Sequence, residues 1–316
     1  MERIILDTDI GDDIDDAFAL TLVVRSPELS LAGVTTVFRN AERRAKLSLK
    51  LLSTLGVSGI PVLAGCDTPF VEGFRAQDRD TWDPEGRFIP CQYATDYDGI
   101  RLPSDEHAVD FIIRTVREQP GQIVLVTIGP LTNAAMALRK APDIASKLKS
   151  ITMMGGYRSE NAPEWNILCD PEAARIVFTA GAPIAMVGLD VTLQCSLSLQ
   201  EVDRLRQAGS DGLGLLYELT QKWLAHSGAK NPILHDPLAV ATLIDESVVR
   251  FEPRLVQVAL EGTARGCTLT RTPPDPAKDR HYGKGRPEQP PCRVASAVDA
   301  ARFKTLFLGR VLSGSR

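Results

Sequence analysis

The sequence lacks any cysteine pattern that would build a disulfide scaffold or a zinc site. Its six cysteines contain no CxxC pair and are spread thinly over 316 residues, which is typical of reduced thiols in a cytoplasmic protein. Long apolar runs are lacking as well, since none approaches the roughly 18 residues that would span a bilayer. The first residues show no signal-peptide pattern. We therefore expect a cytoplasmic protein that is not inserted in a membrane.

The sequence also lacks an excess of positive charge. It has 36 basic and 40 acidic residues, and its formal net charge is −4. Because nucleic-acid binding requires a basic face, this balance argues against nucleic acid as a partner. No internal repeat and no shift in composition marks a boundary. We therefore predict a single domain over residues 1–316, a length that can bury a large core.

The sequence does contain a regular alternation of two kinds of apolar pattern. Strand-like runs lie at residues 3–9, 29–37, 60–65, 122–129, 149–156 and 183–192. Helical patterns lie at residues 15–26, 40–56, 106–121, 130–142 and 170–181. Nearly continuous apolar strands separated by helices predict a mostly parallel sheet with helices on both faces. An open doubly wound sheet and a closed barrel both fit this order.

Two segments interrupt the alternation. Residues 66–104 are rich in Asp, Pro, Gly and aromatic residues, and we predict long loops there, facing the ligand. Residues 271–292 carry many prolines and charges, which predicts an exposed excursion between strands.

Chemically active side chains follow several of the predicted strands. Six of the ten residues from Asp7 to Asp16 are aspartates, and Asn40, His235 and Asp236 also stand at such positions. In open α/β sheets, ligands bind at the carboxyl ends of the strands. Neighbouring carboxylates repel each other unless a cation offsets their charge. Ligation by oxygen alone suits Ca²⁺ or Mg²⁺ rather than zinc. The alternative is a solvated loop whose aspartates cap the next helix.

An ordered set of motifs covers nearly the whole chain and resembles a known family, the calcium-dependent ribonucleoside hydrolases that prefer inosine and uridine. The motifs are DTDIGDDIDDA, TTVFRN, IPVLAG, IGPLTNAA, MGG, EWNILCDPEAA and HDPLAV. The resemblance implies an open, mostly parallel Rossmann-like sheet and hydrolysis of the N-glycosidic bond of ribonucleosides to ribose and free base. A DxD motif after the first strand also opens haloacid-dehalogenase-type phosphatases, but their late GDxxxD motif is not found here at a strand end.

The resemblance also implies a role for individual residues. It implies a Ca²⁺ ion held by Asp9, Asp16, the backbone carbonyl of Ile128, and Asp236. Asp9 is in addition similar to the general base of the family, and His235 to the histidine beside the leaving base. Ribose contacts are implied for Asp15, Asn40, Met154, Glu164 and Asn166. We add Trp223 as a residue that can stack on the base.

The sequence departs from the family pattern in three places. Its first motif has two extra residues, so that Asp12 and Asp13 receive no role. Thr95 stands where many members have a second histidine, and the stretch around Asn161 is contracted. The base preference therefore stays open. Alternatives are another riboside, such as nicotinamide riboside or a modified nucleoside, and a non-catalytic relative that binds ribose and Ca²⁺. As in the family, we expect a homodimer or homotetramer that acts on a small-molecule nucleoside.

Overall fold

The structure is a computed structural model that describes residues 1–71, 79–160, 162–274 and 290–313. The strands in these ranges are β1 (Glu2–Thr8), β2 (Leu29–Thr36), β3 (Val62–Ala64), β4 (Thr81–Trp82), β5 (Phe88–Ile89), β6 (Ile123–Thr127), β7 (Ser150–Met154), β8 (Ile184–Val187), β9 (Val249–Val258), β10 (Thr268–Arg271) and β11 (Cys292–Val298).

The helices in the same ranges are α1 (Asp15–Val24), α2 (Ala41–Thr54), α3 (Ala108–Glu118), α4 (Thr132–Lys140), α5 (Trp165–Cys169), α6 (Pro171–Thr179), α7 (Leu189–Thr192), α8 (Leu199–Gln207), α9 (Asp211–Ser227), α10 (His235–Ala241) and α11 (Ala300–Leu312). Short 3₁₀ helices lie at Thr95–Gly99, Pro142–Ser146, Glu246–Val248 and Gly262–Ala264. None of the described helices combines the length and the apolar character that a membrane crossing needs.

Nine strands form one sheet in the order β3-β2-β1-β6-β7-β8-β11-β9-β10. Pairing is parallel from β3 as far as β11, and β9 pairs antiparallel with both β11 and β10. Because β3 and β10 are free edges, the sheet is open and the barrel is excluded. The predicted α/β class with a mostly parallel, Rossmann-like sheet is confirmed.

Both faces of the sheet are buried, which explains why its central strands are apolar at successive positions. In β1, the side chains of Ile4 and Leu6 belong to one core and that of Ile5 to the other, since neighbouring strand residues point to opposite faces. The first core contains residues of α1, α2, α9, α10 and α11. The second contains residues of α3, α4 and α6.

The structure corrects the predicted strand over residues 183–192. Strand β8 ends at Val187, and α7 occupies the rest of that run. Gly188 marks the change, because a Cβ atom there would lie 2.5 Å from the carbonyl oxygen of Gly156. The residues that follow β7 and β8 lie so close together at this point that a side chain at position 188 would clash with the backbone of Gly156.

The two predicted loop segments contain more regular structure than expected. The first holds the small β4–β5 hairpin and a 3₁₀ helix at Thr95–Gly99. The second begins in β10 and ends in β11, as an excursion between strands. Residues 72–78 and 275–289, on which parts of both predictions fall, lie outside the described residues.

Candidate active site

The predicted acidic site lies where the order of the strands reverses. From β1 the chain proceeds outward through β2 and β3, and it returns to place β6 on the other side of β1. In α/β sheets such a reversal opens a crevice at the carboxyl ends of the two strands. A cavity of about 380 Å³ occupies this position. Its lining includes Asp9, Asp15, Asp16, Ile128, Met154, Glu164, Asn166, His235 and Asp236.

Two hydrogen bonds link the first residues of α1 to the end of β1 and to the start of α10 at the cavity. The Thr8 hydroxyl, at the end of β1, donates to the Asp16 carboxylate. The backbone N–H of Asp236 donates to Oδ2 of Asp15 at 3.2 Å. Asp15 and Asp16 from the beginning of the sequence thus lie beside Asp236 from its later part.

Three buried carboxylates form the centre of this arrangement. Asp15, Asp16 and Asp236 each offer an oxygen, and these oxygens lie within 4.8 Å of one another. Burial raises the pKa of all three well above the usual value, and the charges of the neighbouring acids raise it further. A cation among them would replace the water that these carboxylates have lost and would offset their repulsion. The oxygen-only donor set fits a hard divalent ion.

Asp9 lines the cavity next to this cluster but does not belong to it, whereas the resemblance had included Asp9 and assigned Asp15 to ribose. Burial raises the pKa of Asp9 to about 7, against the opposing charge of Arg44. Asp7 lies beneath the cavity rather than on its wall. Its Oδ1 accepts hydrogen bonds from Thr35 at 2.6 Å and from Asn133 at 2.8 Å, and burial raises its pKa to about 7.

A second wall of the cavity is built from the ends of β6 and β7. Glu164 caps α5 and accepts from the backbone N–H groups of Gly156 at 3.0 Å and Asn166 at 2.8 Å. The Asn166 amide donates to the carbonyl of Ile128 at 2.9 Å and to that of Met154 at 3.3 Å. These contacts fix Glu164 and the Ile128 carbonyl. No hydrogen bond from another described residue occupies the side-chain carbonyl oxygen of Asn166, which can therefore accept one from a ligand.

His235 stands at the start of α10, directly before Asp236. Its Nδ1 lies 2.7 Å from the hydroxyl of Thr192 in α7. Burial lowers the pKa of His235 to about 4, so the imidazole is neutral at physiological pH.

The structure does not bring Asn40 and Trp223 into the acidic cavity. Asn40 caps α2, and its amide donates to the carbonyl of Phe88 at 2.8 Å while its oxygen accepts from the N–H of Arg43 at 3.3 Å. Trp223 packs in the core along α9. Both side chains are therefore already used for local structure. For Trp223, its position on a helical pattern had left a core role open as the alternative.

The cavity also contains residues that the sequence analysis missed. Trp165 follows Glu164 directly and is 37% exposed, so its position beside a predicted site residue was the available signal. Arg39 and Asp80 form an ion pair of 2.9 Å on another wall. Nothing in the sequence indicated that residue 80 would meet residue 39.

The residues without an assigned role have different surroundings. The Asp12 carboxylate pairs with Arg44 at 2.7 Å, and Asp13 is exposed. Thr95 is exposed at the start of a 3₁₀ helix and is not part of the cavity wall. Asn161 lies outside the described residues.

Comparisons with known proteins agree with this geometry. Residues 4–305 match the family model described as inosine-uridine preferring nucleoside hydrolase. A protein of that name from Leishmania major is 35% identical, over 97% of this chain and 96% of its own. The solved plant nucleoside hydrolase PpNRh1 is 31% identical with a TM-score of 0.84, over 99% of both chains. A purine-preferring ribonucleoside hydrolase from Gardnerella vaginalis is 30% identical with a TM-score of 0.79, over 98% of both chains.

Proposed function

Since this chain belongs to the inosine-uridine preferring nucleoside hydrolase family, we propose that its acidic cavity binds a calcium ion and a ribonucleoside, with Asp9 as the general base. The reaction itself follows from the family: the protein is an enzyme that hydrolyses the N-glycosidic bond of ribonucleosides. The family assignment leaves the non-catalytic relative and the phosphatase without support.

The buried cluster of Asp15, Asp16 and Asp236 is the observation that carries this proposal. A packed core does not gather three carboxylates unless something offsets their charge. We propose Asp9, Asp16, Asp236 and the carbonyl of Ile128 as the groups that hold the metal. Asp15 belongs to the same cluster, which supports a role for it beside the metal as well as at the ribose hydroxyls. When bound, Ca²⁺ supplies a Lewis acid that lowers the pKa of water.

Asp9 is proposed to take the proton of the attacking water. Its carboxylate lines the cavity, and burial raises its pKa to about 7, which suits a base that works near neutral pH. As the N-glycosidic bond breaks, positive charge develops on the ribose ring. The surrounding carboxylates stabilise that charge.

Ribose is proposed to bind between the cluster and the wall of Glu164, Asn166 and Met154. Glu164 and the free oxygen of Asn166 accept hydrogen bonds from hydroxyl groups, and Met154 offers an apolar contact. A site that is built to pair with hydroxyls rejects analogues that lack them by roughly 10⁴-fold in good cases. We therefore propose a strong preference for ribosides over 2′-deoxyribosides.

The leaving base is proposed to lie near His235 and Trp165. The neutral imidazole can donate a hydrogen bond to the base, but at pH 7 it lacks the second proton that an imidazolium would transfer as a general acid. Trp165 takes over the stacking role first considered for Trp223, because its exposed indole lines the cavity. Since Thr95 replaces the second histidine and lies away from the cavity, ribosides with other leaving groups, such as nicotinamide riboside or modified nucleosides, remain the second candidate.

The wider setting is also a proposal. We propose a cytoplasmic enzyme of purine and pyrimidine salvage that works as a homodimer or homotetramer. This rests on the composition of the sequence and on the family.

A substrate panel tests the proposed function. The purified protein is incubated with inosine, uridine, adenosine, cytidine and nicotinamide riboside, with and without EDTA, and ribose release is measured. We expect release that EDTA abolishes and Ca²⁺ restores. Release that is insensitive to EDTA would exclude the metal, and no release from any riboside would overturn the proposed substrate class.

The variant Asp9→Asn tests the general base. We expect a loss of roughly 10³-fold in kcat with the fold retained, since the amide cannot take a proton. The control is Asp110→Asn on the surface of α3, where the carboxylate is half-exposed and paired with Lys140 at 2.5 Å; it should keep full activity. A fully active Asp9→Asn enzyme would contradict the assignment.

A further inference from the structure

The buried Arg44 of α2 is a charged group that the proposed chemistry does not use. Its side chain is 0% exposed, and it is the largest of the fully buried side chains in the described residues. A buried guanidinium must find acceptors for its five N–H groups or it destabilises the fold. The acceptors of these N–H groups therefore indicate which parts of the fold Arg44 stabilises.

Arg44 contacts two loops that end neighbouring strands. Its Nε donates to the carbonyl of Phe38 at 2.6 Å, in the loop after β2. Its Nη1 donates to the carbonyls of Asp9 and of Ile10, the latter at 3.1 Å, in the loop after β1. One planar group thus sets the position of the Asp9 backbone relative to the loop beside it.

Arg44 also holds the far side of the first loop. Its Nη2 donates to the Asp12 carboxylate at 2.7 Å, and its guanidinium carbon lies 5.7 Å from the centre of the Phe88 ring. Asp12 belongs to the two-residue expansion of the first motif, so this contact gives that expansion a function. The loop is clamped on both sides of Asp9.

The loop after β2 needs such support because its backbone is strained. Phe38, Arg39 and Asn40 have positive φ angles of 70°, 41° and 67°, a conformation that residues with a side chain rarely adopt in succession. Strained backbone persists only where the surrounding contacts determine it. The bond from Arg44 to the Phe38 carbonyl is one such contact.

We infer that Arg44 is a positioning residue for the reaction: it fixes the loop that carries Asp9 against the β2–α2 loop, so that the Asp9 carboxylate is set before metal or substrate binds. The consequence for catalysis rests on the proposed role of Asp9. The effect of Arg44 on the order of the loop that carries Asp9 does not depend on that role, and it is measured separately.

The neighbouring Arg43 provides a matched control. It lies on the same helix with a largely buried side chain, and it donates to the Phe88 carbonyl at 3.1 Å and to Asp83 at 2.8 Å. None of these acceptors belongs to the loop of Asp9. Arg43→Lys and Arg44→Lys are thus the same substitution, but only Arg44→Lys removes hydrogen bonds to the loop that carries Asp9.

The first measurement is hydrogen exchange of the peptide covering residues 7–16 in EDTA. A lysine keeps the charge but offers one ammonium group, which cannot serve acceptors on two loops at once. We expect faster exchange of this peptide in Arg44→Lys and unchanged exchange in Arg43→Lys. Wild-type exchange in Arg44→Lys would overturn the inference whatever the substrate of the enzyme is.

The second measurement is steady-state kinetics at saturating Ca²⁺. A displacement of about 1 Å at a reacting group costs up to roughly 100-fold in rate. We expect Arg44→Lys to lose at least about 30-fold in kcat with KM within about threefold, and Arg43→Lys to keep both values. A merely structural role would lower thermal stability and leave kcat of the folded protein unchanged, which would overturn the catalytic part.

Asp12→Asn separates the ion pair from the backbone contacts. It can be measured even where Arg44→Lys fails to fold, and a loss of about 30-fold or more in kcat would then overturn positioning through the backbone. It keeps an oxygen acceptor and leaves the bonds to Asp9, Ile10 and Phe38 in place. We expect a loss in kcat of less than about fivefold. If Asp12→Asn reproduced the full effect of Arg44→Lys, positioning through the backbone would be wrong. Wild-type protein that hydrolyses no riboside would refute the proposed function, and the exchange measurement would still decide the role of Arg44 in the loop.

Discussion

At the scale of single residues, burial decides which side chains can exchange protons with a substrate. Burial raises the pKa of Asp9 to about 7 and lowers that of His235 to about 4. In the proposed mechanism the Asp9 carboxylate accepts a proton near neutral pH, while the neutral imidazole of His235 acts through the hydrogen bonds it makes. The orientation of that imidazole then matters more than its charge.

The hydroxyl of Thr192 sets this orientation, and we predict that Thr192→Val lowers kcat/KM by about tenfold, since a buried imidazole nitrogen left unpaired costs about 1–3 kcal/mol. Valine has the same shape and lacks the oxygen that lies 2.7 Å from Nδ1 of His235. Thr192→Ser keeps that oxygen and serves as the control. Kinetics with the best substrate of the panel give the comparison, and equal values for valine and threonine would remove His235 from the site.

The residue scale also shows where sequence reasoning stops. The acids Asp9, Asp15, Asp16 and Asp236 were predicted because they follow strands and match an ordered set of motifs, and the structure brings them together. Arg44 was not, because an arginine within an amphipathic helix has the pattern of a solvent-exposed residue. Its burial depends on two loops whose conformations no local pattern specifies.

At the scale of secondary structure, the parallel strands β1, β2, β3, β6, β7 and β8 were predictable, whereas β9, β10 and β11 at the other end of the sheet were not. Strands β1, β6 and β7 are buried on both faces and form apolar runs in the sequence. Strand β9 instead mixes buried, partly buried and exposed residues. It contains Pro253, which is acceptable because β10 pairs only with residues 255–258, so that Pro253 has a described strand partner on one side only. Its sequence, VRFEPRLVQV, therefore lacked the signal that identified the others.

The start of α6 agreed with its prediction, because the signals there are local. Asp170 caps the helix by accepting from the N–H of Ala173 at 3.0 Å, and Pro171 occupies the first turn. A cap and a proline act over a few residues, so they can be recognised without knowledge of the fold.

The next residue, Glu172, links α6 to the segment between β9 and β10. Arg265 binds its carboxylate with two hydrogen bonds of 2.7 and 2.9 Å. Partial burial opposes ionisation of Glu172, but the hydrogen bond and charge of Arg265 outweigh it and lower the pKa. Because the folded pKa lies below the unfolded one, the pair stabilises the protein above the unfolded pKa. This contribution disappears as the pH falls through the folded pKa.

We predict that Glu172→Gln lowers the free energy of unfolding by about 0.5–1 kcal/mol at pH 7, a value suited to a partly exposed pair. The difference from wild type should shrink as the pH falls below the unfolded pKa of the glutamate. Urea unfolding at pH 7 and at a pH below the unfolded pKa of the glutamate measures this difference. A difference that grows on acidification would contradict the assigned sign.

At the scale of the whole molecule, the proposed metal site in the carboxylate cluster would couple metal binding to folding. Residues from α1 and α10 meet there, although more than two hundred residues separate them in sequence. An ion that binds only the folded arrangement stabilises the entire protein, by about 2.7 kcal/mol at a free concentration of 100 times Kd.

We therefore predict that Ca²⁺ raises the melting temperature relative to EDTA, and that Asp236→Asn loses most of this increase because it removes a carboxylate from the cluster. Scanning calorimetry in buffers with fixed free Ca²⁺ measures both. Mg²⁺ at the same concentration is the comparison for metal identity. A melting temperature that no divalent ion changes would exclude a metal from the folded cluster.

The last described helix, α11, supports the helix that carries two acids of the cavity. Phe307 packs edge-on against Phe18 of α1 at 5.7 Å between ring centres, and Phe303 is buried beside it. Every residue proposed for the site precedes α11 in the chain, yet the helix that carries Asp15 and Asp16 rests on it. A nascent chain that has already emerged from the ribosome as far as Asp236 thus has all the site residues and not their support. From this packing we expect a nascent chain to become enzymatically competent only after α11 has been synthesised.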